Sequence, residues 1–124
     1  MPGGVEGDSI RVPPDGIIHE RTRLQIVTYL ATARDKRIPF TQIREDLDLT
    51  AGNLSVHLRR LEEAGYATIH KSIRERRTHT QVSLTSDGLE ALRRYVEEME
   101  EVLRVARDAV LDAPEKGEVR DDRS

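Results

Sequence analysis

In LTAGNLSVHLRRLEEAGY, residues 49–66, Leu54, Leu58 and Leu61 stand at i, i+4 and i+7, and Gly65 closes the run. Leucines at that spacing give a helix one narrow buried face. A glycine just past the last helical residue suits a left-handed C-terminal cap. The expected helix runs from Ala51 to about Ala64, with Thr50 placed to cap its N-terminus. Its front end is odd, because Gly52, Asn53, Ser55, Val56 and His57 precede the basic pair Arg59 and Arg60. Gly costs about 1 kcal/mol relative to Ala in a helix interior. Propensity therefore does not explain why the first two turns are small and polar.

The flanking segments supply a reason. Before this helix, FTQIREDL makes a short one, with Thr41 as its expected N-cap, Ile43 and Leu47 on its buried face and Phe40 beneath its start. DLT then reads as a tight turn. After it, YATIHKSI and THTQVSL alternate and are rich in β-formers, and the charged RERR joins them. That pattern is a hairpin with Ile69, Ile73, Val82 and Leu84 expected inward. Two helices across a short turn form a helix-turn-helix, and a basic-tipped hairpin directly after them is the arrangement of a winged helix. In such a motif the front of the second helix meets base edges in the major groove.

With the leucines inward, the opposite face carries Gly52, Asn53, Ser55, Val56, Arg59 and Arg60, with His57 beside it. Small residues let the backbone approach a groove. Helix N-terminal amides and the Thr50 hydroxyl suit a phosphate. Asn53 and Ser55 can hydrogen-bond to bases, and Val56 can touch a thymine methyl. Arg59 and Arg60 are placed for phosphates. Arg74, Arg76 and Arg77 at the hairpin tip can straddle a backbone or enter a narrow minor groove.

Two longer helices complete the expected domain. From Asp15, a possible N-cap, to Arg34, the residues Ile17, Ile18, Leu24, Ile26, Val27 and Leu30 recur at helical steps, until DKRIP breaks the pattern at Pro39. After a Thr85 or Ser86 cap, a helix of about 28 residues runs to Ala113, where Pro114 stops it. Along it Leu89, Leu92, Val96, Met99, Leu103, Ala106 and Val110 alternate spacings of three and four, a heptad seam. At 1.5 Å per residue that helix is ~40 Å long, more than so small a core can cover, and Val102 and Val105 add a second apolar stripe. A self-associating dimerisation helix is expected over 86–113. Residues 1–14, rich in Gly and Pro, read as a flexible tail in which Ile10 and Val12 can pack, and 114–124 as a disordered one. The fold class is thus mainly α with a small β-hairpin (α+β), one winged-helix domain over 15–113.

The formal net charge of −3 counts against nucleic acid until its distribution is considered. Residues 50–84 carry six Lys or Arg against three acids, a net +3, while residues 86–124 carry seven against twelve, a net −5. The basic part is the helix-turn-helix and wing. With no Cys in the chain, disulfides, thiolate metal sites and cysteine nucleophiles are excluded. His19, His57, His70 and His79 show no ligand spacing, so no metal and no cofactor are expected. There is no nucleophile beside a base and no Gly-rich phosphate loop, so no enzymatic activity is expected. No apolar run reaches the ~20 residues of a membrane span, and no signal peptide is legible, which points to a cytoplasmic protein.

These residues also carry a family resemblance. L-S-x-H-L-x-x-L-E-x-x-G-Y in 54–66, the hairpin after it and the closing L-T-x-x-G at 84–88 resemble the winged-helix transcriptional regulators of the MarR and ArsR type. I-H-E-x-T-R-L-x-I at 18–26 resembles the first helix of a small-winged-helix subgroup of them. The resemblance covers roughly 15–112. It implies a homodimer on a pseudo-palindromic operator in double-stranded DNA, acting as a repressor, with Ser55 and His57 near DNA. It leaves open a small-molecule effector, since the chain lacks the Cys-rich sites of ArsR-type sensors and the extra helices of longer MarR-type proteins. The alternative reading is a winged-helix module that grips a protein partner and does not bind DNA specifically.

Overall fold

The computed structural model describes residues 15–114. The expected tails at 1–14 and 114–124, and the packing of Ile10 and Val12, fall outside that range apart from Pro114. In chain order the elements are α1 (Arg21–Ala31), β1 (Ile38–Pro39), α2 (Phe40–Asp46), α3 (Ala51–Glu63), β2 (Ala67–Arg74), β3 (Arg77–Leu84) and α4 (Ser86–Asp112). The strands form one antiparallel sheet in the order β1-β3-β2. This is an α+β winged helix with a long C-terminal helix. The chain divides into two units, one ending at Val96 and one that takes in residues 97–114.

The core of the first unit follows the helical periodicities. Ile18, Ile26, Val27, Leu30, Ile43, Leu54, Leu58, Leu61 and Val82 are almost wholly buried. Each such side chain contributes roughly 1.5–3 kcal/mol by leaving water. In α3 the Thr50 hydroxyl accepts from Asn53 N at 3.1 Å, the expected N-cap. Its other end is a Schellman turn: Tyr66 N donates to Leu61 O, Gly65 N donates to Glu62 O, and Gly65 sits at φ 82°. Thr85 caps α4, its hydroxyl accepting from Gly88 N and donating to Gly65 O.

Several local expectations are corrected. Helix α1 starts at Arg21, not at Asp15, and ends at Ala31. Asp15 does cap backbone, taking Ile17 N and Ile18 N at 3.0 and 3.1 Å. That turn ends at Glu20, whose extended backbone (φ −147°) breaks the helix and whose carboxylate caps α1 at Arg23 N. Helix α2 starts two residues earlier than a Thr41 cap allows, because the chain passes directly from Pro39 into it. Ile38 and Pro39, taken as a helix breaker, also form an edge strand paired with Val82 and Gln81. An edge position tolerates the missing N–H of proline. Ile73 is 77% exposed, not inward. It pairs with Thr78 near the hairpin tip, where β2 has run past the helices that cover Ala67.

Helix α4 buries Gly88, Ala91 and Tyr95, not the heptad seam. A Cβ on Gly88 would stand 2.2 Å from Tyr66 O and 2.7 Å from Leu84 Cδ1, so this glycine lets the helix close on the α3–β2 junction. Of the seam, Leu89, Leu92 and Met99 are half-buried and Ala106 is exposed. Val96, Leu103 and Val110 are 44%, 55% and 70% exposed.

Candidate nucleic-acid interface

The buried face of α3 leaves a long outer face open. Gly52, Asn53, Ser55, Val56, Arg59 and Arg60 are all exposed, and so is the capping residue Thr50. Val56, an apolar residue, is 61% exposed in the middle of this face. Among the described residues, nothing beyond its chain neighbours and the surrounding helix backbone lies within 4 Å of a Cβ built on Gly52. The packing of the domain therefore does not ask for glycine there.

The wing is β2, β3 and the two residues between them. Glu75 and Arg76 have φ of 52° and 66°. Two positive φ values are what a two-residue hairpin turn needs, and Asn-Gly is the usual solution. Here the chain holds Glu-Arg in that conformation and sets Arg74 directly opposite Arg77. Non-glycine residues in the left-handed region cost of order 1–3 kcal/mol in unfavourable cases, and like charges across a ladder repel. Such a tip is poorly chosen for hairpin stability.

Sheet register shows which wing residues look toward α3. Ala67, Ile69 and Lys71 share a face with Val82, Leu84 and Thr80. Ser55, Leu58, Arg59 and Glu62 of α3 line an open groove together with Phe40, Ile69, Lys71 and Thr80. Lys71 belongs to this surface and was not singled out from the sequence. The two-residue alternation from Ala67 was the signal that places it.

His57 is placed differently from its neighbours. Its side chain is only 15% exposed, and its Nδ1 lies 3.2 Å from Arg23 Nη1 and 3.7 Å from Glu20 Oε1. Arg23, 9% exposed, is the buried charged residue of the core; its Nε donates to Ile17 O at 2.6 Å and its Nη2 to Gly16 O at 3.4 Å. Nothing in the local sequence announces this cluster, since Arg23 and His57 are 34 positions apart. The other polar links to the 15–20 turn are Tyr66 OH to Asp15 Oδ2 at 2.8 Å and His19 Nδ1 with Tyr95 OH at 2.8 Å. Burial, and then the Asp15 carboxylate, hold the Tyr66 phenol above its ordinary range.

Charge compensation differs sharply between elements. On α4, Arg93 and Arg94 pair with Glu90, and Arg104 pairs with Glu101 and Asp108. Among the described residues, Arg59, Arg60, Lys71, Arg74, Arg76 and Arg77 make no ion pair. The outer face of α3 and the wing thus form one surface of uncompensated cations, with small residues at the front of the helix between them. Also among the described residues, no group of three or more His, Cys, Asp or Glu is placed to hold a metal ion, and no helix is long and apolar enough to cross a membrane.

The family model for a winged helix DNA-binding domain matches residues 22–103. The transcriptional regulator homologue protein from Pyrococcus horikoshii OT3 is 34% identical, covering 81% of this chain and 92% of that one, with a TM-score of 0.65. An uncharacterized protein of Methanocaldococcus jannaschii is 38% identical over 60 residues. The match spans 48% of this chain and 65% of that relative, just under two thirds of its length. MepR of S. aureus, in a structure of its complex with DNA, is 16% identical with a TM-score of 0.60 over 76% of this chain and 75% of that one. At that identity the likeness is one of fold.

Proposed function

This chain belongs to the winged helix DNA-binding domain family, and from that premise we propose that it is a sequence-specific transcriptional regulator of the MarR- and ArsR-like kind. It binds a pseudo-palindromic operator as a homodimer, represses, and works in the cytoplasm by binding and not by catalysis. The observation that carries this reading is the uncompensated basic surface of α3 and the wing. Unpaired surface cations add nothing to folding, yet each can release a counterion from DNA. Gly52, Asn53, Ser55 and Val56 face the major groove, Thr50 and Arg60 meet phosphates, and Arg74, Arg76 and Arg77 flank the next stretch of backbone.

Dimerisation is supported by α4. Its inward face is supplied by Gly88, Ala91 and Tyr95, which leaves Leu103 and Val110 exposed on a heptad spacing. A second copy would bury them, and its two-fold axis would match that of an inverted repeat.

Selection of bound DNA from a random pool at physiological salt tests the reading. Expected is an inverted repeat with half-sites about one helical turn apart. Recovery of no enriched sequence would refute the regulator and favour a winged helix that grips a protein.

A further inference from the structure

The contact between Arg23 and His57 has a chemical consequence for the DNA surface. A guanidinium offers only donors, and Arg23 Nη1 stands 3.2 Å from His57 Nδ1. Nδ1 must therefore be the acceptor, and the ring proton sits on Nε2. Among the described residues none takes that proton, and no buried side-chain nitrogen or oxygen lacks a partner. Nε2 therefore opens onto the surface. Along α3, Asn53, His57 and Arg60 fall at i, i+4 and i+7, one row on the flank of the outer face. The row ends in two exposed residues, and His57 lies between them.

Arg23 also decides which way the ring faces. Protonating Nδ1 would set its N–H against the Arg23 donors, so the ring would have to turn to Glu20 Oε1 at 3.7 Å. That oxygen already accepts from Arg23 N at 2.8 Å as the cap of α1. The arrangement favours Nδ1 as an acceptor.

We propose that Arg23 is a positioning residue for DNA binding: it fixes His57 in the Nε2–H tautomer, presented between Asn53 and Arg60 as an uncharged donor to a DNA phosphate oxygen. The flank of a recognition helix is where the backbone strands pass, so a phosphate and not a base edge is the partner. An uncharged donor releases no counterion. Its loss should lower affinity at every salt concentration and leave the salt slope where it was, whereas each lost Lys or Arg contact lowers the slope by about 0.9. The inference rests on the DNA-binding reading above.

The test uses the full chain and the operator recovered by selection. His57→Asn keeps an acceptor toward Arg23 and removes the outward donor. It is expected to keep the melting temperature, bind the operator about tenfold more weakly and keep the salt slope. Affinity within twofold of the original, or a slope smaller by about one, overturns the proposal. Ring nitrogen NMR of the free chain at neutral pH reads the tautomer directly. Expected is protonation at Nε2 alone, replaced in Arg23→Met by protonation at Nδ1 facing Glu20. Protonation at Nδ1 in the unaltered chain overturns it. If Arg23→Met fails to fold, the His57→Asn binding data and the tautomer of the unaltered chain still decide the matter. If no operator is recovered, the DNA reading fails by itself, and the tautomer still reports on Arg23 and His57.

Discussion

Replacing Gly52 by Ala separates what α3 needs to fold from what it needs to meet DNA. Gly52 is the second residue of the helix, exposed, and outside the left-handed region of φ. Among the described residues, a methyl group there meets nothing within 4 Å beyond its chain neighbours and the surrounding helix backbone. The substitution removes backbone freedom from the unfolded chain without a steric cost in the folded one. Gly to Ala is worth roughly 0.5–1 kcal/mol in a helix. For a domain of this size 1 kcal/mol shifts the melting temperature by roughly 4–8 °C. The variant should therefore melt about 2–8 °C higher by circular dichroism, measured at fixed protein concentration because association shifts the midpoint.

The same methyl should weaken DNA binding. If the front of α3 is the point of closest approach to the groove, an added carbon there acts like overpacking, at about 1–3 kcal/mol. At 1.4 kcal/mol per tenfold, operator affinity should fall roughly five- to hundredfold by fluorescence anisotropy. Salt dependence should stay the same, since no charge is lost. A variant that melts higher and binds operator undiminished would refute the close approach of Gly52. A lower melting temperature would refute the claim that the domain has no use for glycine at this position.

The wing tip should show the same opposition. Arg76→Gly relieves a φ of 66° and should raise hairpin stability by about 1 kcal/mol, while weakening DNA binding. Arg76→Ala with Arg77→Ala should weaken binding to all sequences and lower the salt slope by about two, and an unchanged slope would refute the wing contact. Asn53→Ala should instead alter preference at one base pair by about 1–3 kcal/mol, read by repeating the selection. Leu103→Glu together with Val110→Glu, at side chains 55% and 70% exposed in the single chain, should convert a dimer to monomer in sedimentation without unfolding it. A dimeric mass for that variant would refute the α4 seam. Gly88→Ala places a carbon 2.2 Å from Tyr66 O and should cost at least ~1–3 kcal/mol in urea unfolding.

What was legible in the sequence was whatever local chemistry decides. The three leucines of α3, its Thr50 cap, the Gly65 turn and the alternating strands are signals within a few residues of what they determine. What was hidden depends on distant partners. Two-residue β1 exists because Val82 and Gln81 lie beside Ile38 and Pro39. The start of α1 is displaced because Tyr66, Tyr95 and Arg23 tie down the 15–20 turn. Alternation put Ile73 on the correct face of β2 but cannot tell where the helical layer ends. For the same reason His57 could be placed beside the outer face of α3, while its partner Arg23 could not be named.

Helix α4 shows most clearly what hydrophobic spacing alone leaves open. Its heptad seam reads from the sequence as a self-association face, but the spacing does not name the residues that pack the helix on its own domain. The helix turns inward with Gly88, Ala91 and Tyr95, because small side chains allow it to close on Tyr66 O and Leu84. Close approach at Gly88 sets this face, while Val96, Leu103 and Val110 remain exposed. Gly52 is the converse, a small residue for which the domain has no use of its own. From the sequence the two glycines are indistinguishable, each in the first turn of a helix after a capping threonine. Adding the same methyl to each should give opposite signs, stabilising at Gly52 and destabilising at Gly88, because the surface that needs close approach lies inside the chain in one case and outside it in the other.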